Sequence, residues 1–565
     1  IGSYLDIEGL LEVARASGAD AVHPGYGFLA ENPAFARAVL AAGLTWVGPP
    51  PEAIEAMGDK AAARRQAAAF DVPTVPGYDG AAQDDDTLVA EAGRVGFPLL
   101  VKPTAGGGGK GMRVVRTAGD LHEALAAARR EAHRSFGDDR LILERFLEGA
   151  RHVEIQVLFD GHGNGVHLGE RDCSAQRRNQ KIVEEAPAPS VDGELRARMG
   201  TAALRVAGSA GYAGAGTVEM LLTDAGSFHF LEMNTRLQVE HPVTEAVTGR
   251  DLVADQLRIA AGATLAEIGL AEPPPIDGHA IEARLYAEDP DAGFLPATGR
   301  LARIGWPEGV RIDTGVREGD LVGDRYDPML AKLIAHGRTR QEALGRLQSA
   351  LGQTVVLGVR TNLRFLRWLM AQDPMREGEM RTDTIAALAP PATRQPSEEH
   401  WEAAAAALAG RDPGIWGAGW RLNGDPIVRI ASEEIERPVR AGSSPATPAT
   451  LDGDRAHVDV DGQSHEFRLA PPPTVEEAVR HASAGGAGAA VLSAPMPGRV
   501  IAVRAAEGEA VRAHQPIVVI EAMKMEHAVL APTDGTLVRL DVAEGAQVQR
   551  GDVLAEVAPY HETDG

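Results

Sequence analysis

Glu232-Met233-Asn234-Thr235-Arg236-Leu237-Gln238-Val239-Glu240 is the stretch on which the fold turns. In an extended chain side chains alternate faces, so Glu232, Asn234, Arg236, Gln238 and Glu240 share one face while Met233, Leu237 and Val239 point the other way. Two readings suit such a row: a solvent-washed face of an antiparallel sheet, or a line of ion-handling groups. The preceding residues bear on the choice. Segments 217–222 and 228–232 flank the turn Thr223-Asp224-Ala225-Gly226-Ser227. A hairpin centred between Ala225 and Gly226 sets Leu222 opposite His229 and Glu219 opposite Glu232. Directly opposed side chains have Cβ atoms about 4.5–5.5 Å apart, where like charges destabilise unless something bridges them. Two carboxylates with the amide oxygen of Asn234 suit a hard Mg²⁺ or Mn²⁺ ion that keeps waters and takes phosphate oxygens from a nucleotide.

A second constellation is Gly106-Gly107-Gly108-Gly109-Lys110-Gly111, between segments 98–102 and 112–116 that both read as strand. It is not a Walker A loop, because Lys110 is followed by Gly111 rather than Ser or Thr and strand rather than helix follows. Glycines between two strands make a hairpin that either folds over phosphates or is an ordinary surface loop. Lys102, on the strand before it, supplies a fixed charge. The third is a basic cluster at 171–181 containing Arg171, Arg177, Arg178 and Lys181. Cys173 within it has no adjacent histidine and reads as an inert thiol.

The chain of 565 residues has room for three or four domains. It carries 56 basic and 80 acidic residues, net −24, which argues against a polynucleotide or an anionic membrane as main partner; the cluster at 171–181 is then either a solvated charged face or a local anion site, the surrounding acidity favouring the second. No run approaches the roughly 20 apolar residues of a membrane helix. A single cysteine points to a reducing compartment. From 4 to 48 the pattern alternates helix and short strand, as in a parallel sheet. Composition shifts at 390–393, and a helix over 398–408 precedes short strands, among them 455–460 and 465–469 around the hairpin signal Asp461-Gly462. Residues 481–490 are rich in Gly and Ala and read as a tether. Beyond them runs a repeat at spacing 37: Gly498 matches Gly535, Glu507-Gly508 matches Glu544-Gly545, Val511 matches Val548 and Ile517 matches Leu554. Two copies of strand, turn and strand predict a flattened pseudo-twofold β-sandwich, with Glu521-Ala522-Met523-Lys524-Met525-Glu526 at its hairpin tip. Lys524 is then either an ordinary turn lysine or a modification site, and lipoyl and biotinyl carriers share this symmetry.

Taken together, His23-Pro24-Gly25-Tyr26-Gly27-Phe28-Leu29-Ala30-Glu31-Asn32, the glycine tract, Arg151-His152-Val153-Glu154-Ile155-Gln156, the stretch from Glu232 to His241 and Glu521-Ala522-Met523-Lys524-Met525 resemble the biotin-containing α subunits of acyl-CoA carboxylases. The resemblance implies an α/β and α+β multidomain chain: a remnant of an N-terminal Rossmann-like domain (1–48), an ATP-grasp biotin carboxylase part (49–390) with a glycine-rich lid at about 74–147, a helix-plus-β-barrel docking domain (397–475), a flexible tether (476–490) and a biotinyl carrier (491–559). It also implies about one further βαβ unit, roughly 30 residues, ahead of Ile1.

By position in the family's motifs, Lys60, Lys102, Glu144, His152 and Gln176 contact ATP together with Gly107 and Gly108 of the lid. Glu219, Glu232 and Asn234 hold the metal ions. Lys181, Arg236, Gln238 and the backbone of Val239 hold bicarbonate, and Glu240 is the general base, kept ionised by Arg236 on the same strand face. Arg284 stabilises the biotin enolate oxygen, Asn179 stands where many members carry histidine, and Lys524 carries biotin, the flanking methionines favouring biotin over lipoate. The implied activity is a ligase reaction: ATP-dependent carboxylation of protein-bound biotin through carboxyphosphate, with carboxybiotin delivered to a separate carboxyltransferase β subunit in a hetero-oligomer. A biotin protein ligase would attach the cofactor. The short middle region favours a 3-methylcrotonyl-CoA carboxylase type. The alternatives are a propionyl- or acetyl-CoA carboxylase α subunit, or a biotinylated carrier chain without ATPase activity. The expected location is bacterial cytoplasm or mitochondrial matrix.

Overall fold

The computed structural model describes residues 3–104, 111–391, 394–410, 426–433, 435–441, 447–470, 490–522 and 525–559. Its centre is an eight-stranded antiparallel sheet in the order Phe228–Asn234, Gly214–Leu222, Arg151–Phe159, Gly165–Arg177, Gln180–Ala186, His279–Tyr286, Met329–Gly337, Arg311–Thr314. Period-two alternation gives the sheet two unlike faces. Val153, Ile155 and Val157 pack with Val218, Met220 and the helix Gly193–Ser209 through Met199, Ala203 and Val206. His152, Glu154 and Gln156 point to the opposite face and are also buried. This polar face is therefore interior; of the row at 232–240, Gln238 and Glu240 are buried while Glu232, Asn234 and Arg236 are half-buried.

The hairpin that opens this sheet pairs Glu219 with Glu232 as the turn argument expected, but its tip differs. Leu222 faces Phe228, not His229, and a bulge at Leu231 restores the Glu219–Glu232 register. The extra residue raises local twist and ends regular pairing soon afterwards. The strand stops at Asn234, so residues 235–240 are not extended. Pro242 sits in the first turn of the helix His241–Thr248, with Glu240 at its N-cap. A proline there suits helix initiation, and this turn into a helix replaces the expected straight strand.

Residues ahead of this sheet form a parallel pair, Ala21–Val22 with Thr45–Trp46, flanked by the helices Ile7–Ser17 and Pro33–Ala41. A four-stranded sheet of Gly77–Tyr78, Leu141–Arg145, Leu99–Pro103 and Arg113–Val115 carries the segments on either side of the glycine tract. Gly107 and Gly108 themselves lie outside the described residues.

In the middle region the helix Glu398–Ala409 lies on a five-stranded antiparallel sheet, where Trp401 meets Phe467 edge-on at 5.0 Å. The described strands make an open sheet, with edges at Ile435–Arg440 and Ala449–Asp452, rather than closing edge to edge as the expected barrel would. Val460 pairs with Gln463 across Asp461 (φ 57°) and Gly462 (φ 87°), the positive-φ two-residue turn its sequence calls for.

The C-terminal unit follows the 37-residue repeat strand by strand. Gly498–Val503 maps onto Gly535–Leu540, Ala510–Val511 onto Gln547–Val548, and Pro516–Ala522 onto Val553–Pro559. The two copies form four-stranded sheets of matching order around Val500, Ile517, Ile520, Leu537, Leu554 and Val557. Ala522 pairs with Met525; Lys524 lies outside the described residues, as does the tether as far as residue 489. No helix among the described residues is long and apolar enough to cross a membrane.

Gly498 and Gly535 occupy equivalent positions where strands approach closely: a Cβ at 498 would lie 2.6 Å from the Glu521 carbonyl oxygen, and one at 535 would collide with that of Ala558. Gly498→Ala or Gly535→Ala is expected to destabilise the sandwich by about 1–3 kcal/mol. Gly93→Ala, in an exposed helix with open space around it, is expected to stabilise by roughly 0.5–1 kcal/mol. Melting curves of the variants check both signs.

Candidate active site

Lys181 sits at the centre of the polar face. The hairpin turn Arg178-Asn179, both residues at positive φ (49° and 67°), places Lys181 opposite Gln176. Asparagine tolerates this conformation better than most residues. The Lys181 ammonium donates to Glu154 Oε2 at 2.6 Å, Glu240 Oε1 at 2.6 Å and Glu219 Oε1 at 3.0 Å. Arg171 holds the other oxygen of Glu154 at 2.5 Å and donates to Gln156, Thr244 and Thr217. Arg284 lies between Glu240 Oε2 at 2.8 Å and Glu184 Oε1 at 2.5 Å.

The expected metal ligands adjoin this centre. Glu219 receives Asn234 Nδ2 at 2.8 Å, and its second oxygen lies 3.0 Å from His152 Nε2. Glu232 meets Lys60 at 2.5 Å. Arg236 makes its direct contacts elsewhere than Glu240: its Nε pairs with Glu31 at 3.1 Å, while Nη1 donates to Gln238 Oε1 at 3.1 Å. The Val239 carbonyl accepts from Lys332 at 2.6 Å. A second group, Lys102 with Glu144 at 2.5 Å and Arg64 with Glu144 at 3.1 Å, ties the four-stranded sheet to the helix Lys60–Ala69.

Burial opposes ionisation of Glu240, yet Lys181, Arg284 and Arg171 outweigh it and hold this carboxyl well below the ordinary carboxylate range. These three cations act on Glu240 more strongly than Arg236, whose charge also interacts favourably with it. For Glu219, burial is likewise overcome, by Lys181 and His152. Lys181 is itself buried, and Glu154, Glu219 and Glu240 keep it firmly charged. Burial of Cys173 pushes its thiol well up, as expected of an inert one.

Among the described residues, metal-ligating atoms gather within 4.8 Å at His152, Glu154 and Glu219, and at Glu154, Cys173 and Glu240. Lys181 is bonded to both carboxylates of each set. The opposed pair Glu219 and Glu232, each also bonded to a lysine, lies with Asn234 and has the donor chemistry of a hard divalent ion.

Glu31, Glu154, Glu184 and Lys332 take part without having been singled out beforehand. For Glu154 the signal was present: His152, Glu154 and Gln156 alternate with Val153, Ile155 and Val157, the same pattern as at residues 232–240.

Four family models match the chain in order: "Biotin carboxylase, N-terminal domain" over residues 1–54, "Carbamoyl-phosphate synthase L chain, ATP binding domain" over 59–268, "Biotin carboxylase C-terminal domain" over 282–387 and "Biotin-requiring enzyme" over 490–557. Methylcrotonoyl-CoA carboxylase subunit alpha, mitochondrial, of Rattus norvegicus is 40% identical over 98% of this chain and 85% of its own length. This chain belongs to the biotin-dependent acyl-CoA carboxylase α subunits. The acyl-coenzyme A carboxylase alpha3 subunit of Mycobacterium leprae is 42% identical over 98% of this chain and 89% of its own. The biotin carboxylase domain of Hydrogenobacter thermophilus 2-oxoglutarate carboxylase, solved with MgADP, ADP and bicarbonate, is 41% identical with a TM-score of 0.66, covering 68% of this chain and 85% of that one. Rhizobium etli pyruvate carboxylase is 39% identical with a TM-score of 0.68, over 75% of this chain and 39% of that one.

Glu154→Ala leaves buried Arg171 with only neutral hydrogen-bond partners, Gln156, Thr244 and Thr217, and is expected to cost about 3–5 kcal/mol, read as a lower urea midpoint. The depressed carboxyls of Glu219 and Glu240 also set a pH dependence. Their contribution is present above the ordinary value of 4.5 and is lost as pH falls through their lowered folded values. Thermal melting followed from neutral pH into acid is expected to fall accordingly.

Proposed function

We propose that this chain carboxylates biotin with bicarbonate at the expense of ATP and hands the carboxyl group to a separate carboxyltransferase β subunit. The observation that carries this reading is the Lys181 ammonium within 2.6 Å of Glu240 in a buried pocket, with Arg284 on the other oxygen of the same carboxylate. Family membership supports it.

Glu240 is the general base. A base must be ionised before reaction, and the surrounding cations provide for that. Bicarbonate binds against Lys181, Arg236, Gln238 and the backbone of Val239. Glu240 takes its proton as its oxygen attacks the γ-phosphate of ATP, giving carboxyphosphate and ADP; carboxyphosphate then yields CO₂ and phosphate. Lys60, Lys102, Glu144, His152, Gln176, Gly107 and Gly108 bind ATP. Glu219, Glu232 and Asn234 hold Mg²⁺ or Mn²⁺, which neutralises phosphate charge when bound. Biotin, when attached at Lys524 by a biotin protein ligase, supplies the ureido nitrogen that accepts the carboxyl group. The Nε of Arg284 is buried and has no hydrogen-bond partner among the described residues, a donor left for negative charge developing on a ligand.

Domain roles follow: residues 1–48 and 49–390 form the carboxylase, 397–475 docks the partner, 476–490 tethers, and 491–559 carries biotin. The acyl-CoA is of the 3-methylcrotonyl type. The relatives include mitochondrial and bacterial proteins, and a matrix or cytoplasmic setting suits the single buried thiol.

Bicarbonate-dependent ATP hydrolysis with free biotin and Mg²⁺ is expected to fall by at least about 100-fold in Glu240→Gln; unchanged turnover would refute the base assignment. Streptavidin should detect the chain co-expressed with a biotin ligase but not Lys524→Arg. With the co-purified partner, 3-methylcrotonyl-CoA should be carboxylated faster than propionyl- or acetyl-CoA.

A further inference from the structure

Two acids behind Glu240 have no part in the chemistry above. Glu184 and Glu282 lie directly opposite each other on the strands Gln180–Ala186 and His279–Tyr286, which sets their Cβ atoms about 4.5–5.5 Å apart on one face. Both side chains are wholly buried, at 0% exposure. Arg284, two residues beyond Glu282 on the same face, is 2.5 Å from Glu184 and 2.8 Å from Glu240. None of the four carboxyl oxygens of Glu184 and Glu282 has an aligned hydrogen-bond donor among the described residues.

Other charges facing the pair are already engaged. Lys332, opposite Arg284 on Met329–Gly337, is held by the Val239 carbonyl at 2.6 Å and Asp313 at 3.3 Å. Lys181 serves Glu154, Glu219 and Glu240. On the helix His241–Thr248, Glu245 turns to Arg311 at 2.7 Å and lies 3.9 Å from His241, and Gly165–Arg177 contributes the neutral thiol of Cys173. Beyond the pair the layer is apolar: Ala186, Val243, Val247, Ala280 and Ile334. Arg284 faces three carboxyl groups, and Lys332, whose charge also favours an ionised Glu282, is shared with Asp313, so these cations do not supply one charge for each carboxyl.

We propose that Glu184 and Glu282 share one proton and form a singly charged acid pair that positions Arg284 between itself and Glu240. Opposed carboxyls in a dry site titrate as a unit and retain a proton that isolated ones would lose. Consistently, burial pushes Glu184 up to about 7 and raises Glu282 well above the carboxylate range. Arg284 then has one carboxylate charge on each side, with its Nε turned to neither. The positioning half rests on the role given to Arg284 under the proposed function; the shared proton does not.

Infrared spectroscopy of the full chain at neutral pH tests the proton without any assay of activity. A C=O stretch of a protonated carboxyl that shifts in D₂O and disappears in Glu282→Gln is expected, because the amide then donates to an ionised Glu184. No such band in the parent chain, or a band unchanged in Glu282→Gln, overturns the proposal. Kinetics test the positioning. Glu184→Gln is expected to lower kcat by about 100-fold with the KM for ATP unchanged. Glu282→Gln, which keeps a neutral donor, is expected to retain about tenfold more kcat than Glu282→Ala. Equal losses in Glu282→Gln and Glu282→Ala overturn positioning. If the infrared band behaves as expected while Arg284→Ala keeps full turnover, the shared proton stands and the role of Arg284 fails.

Discussion

A lysine ammonium buried against three carboxylates is the constraint on which this site depends. Lys181 reaches Glu154, Glu219 and Glu240 from a different element in each case: one strand, a second strand, and the N-cap of a helix. Removing the ammonium leaves the buried carboxylates without their common partner, a costly state, although such networks add little stability compared with an apolar core. Their value here is chemical. A network rich in cations keeps Glu240 ionised while leaving Arg284 beside it, and both follow from the order of the strands.

The sheet can do this because its two faces differ. One packs Val153, Ile155, Val157, Val218 and Met220 under the helix Gly193–Ser209. The other collects charged side chains that water does not reach. A low-dielectric setting strengthens every interaction among them, and it also makes an unshared charge costly. The pairing of Glu184 with Glu282 is the clearest case, since the same alternation that delivers Arg284 to Glu240 delivers a second acid that must share Arg284 and Lys332 with other carboxylates.

Legibility in the sequence followed the range of the interaction. Glu219 opposite Glu232 was readable because a short turn joins their strands, although the bulge at Leu231 shifted the tip by one residue. The 37-residue repeat was readable because both copies are contiguous, and it maps strand onto strand. The straight strand expected through Glu240 was wrong because Pro242 starts a helix and bends the chain, which turned Arg236 towards Glu31. Contacts such as Lys181 with Glu154 or Arg284 with Glu184 depend on which strands are neighbours, and nothing local to either residue encodes that order. The basic cluster placed Lys181 in a candidate anion site but gave it no role; that role, and Arg284 altogether, came from the family resemblance.

The central claim, that Lys181 keeps Glu240 ionised for its work as a base, is tested most directly by the pH dependence of bicarbonate-dependent ATP hydrolysis in the parent chain and in Lys181→Gln. Losing the ammonium removes the foremost influence opposing burial at Glu240. The account therefore predicts that the acidic limb of the kcat profile moves to higher pH in the variant, whatever happens to its maximum. An acidic limb that stays in place while the maximum falls would contradict it.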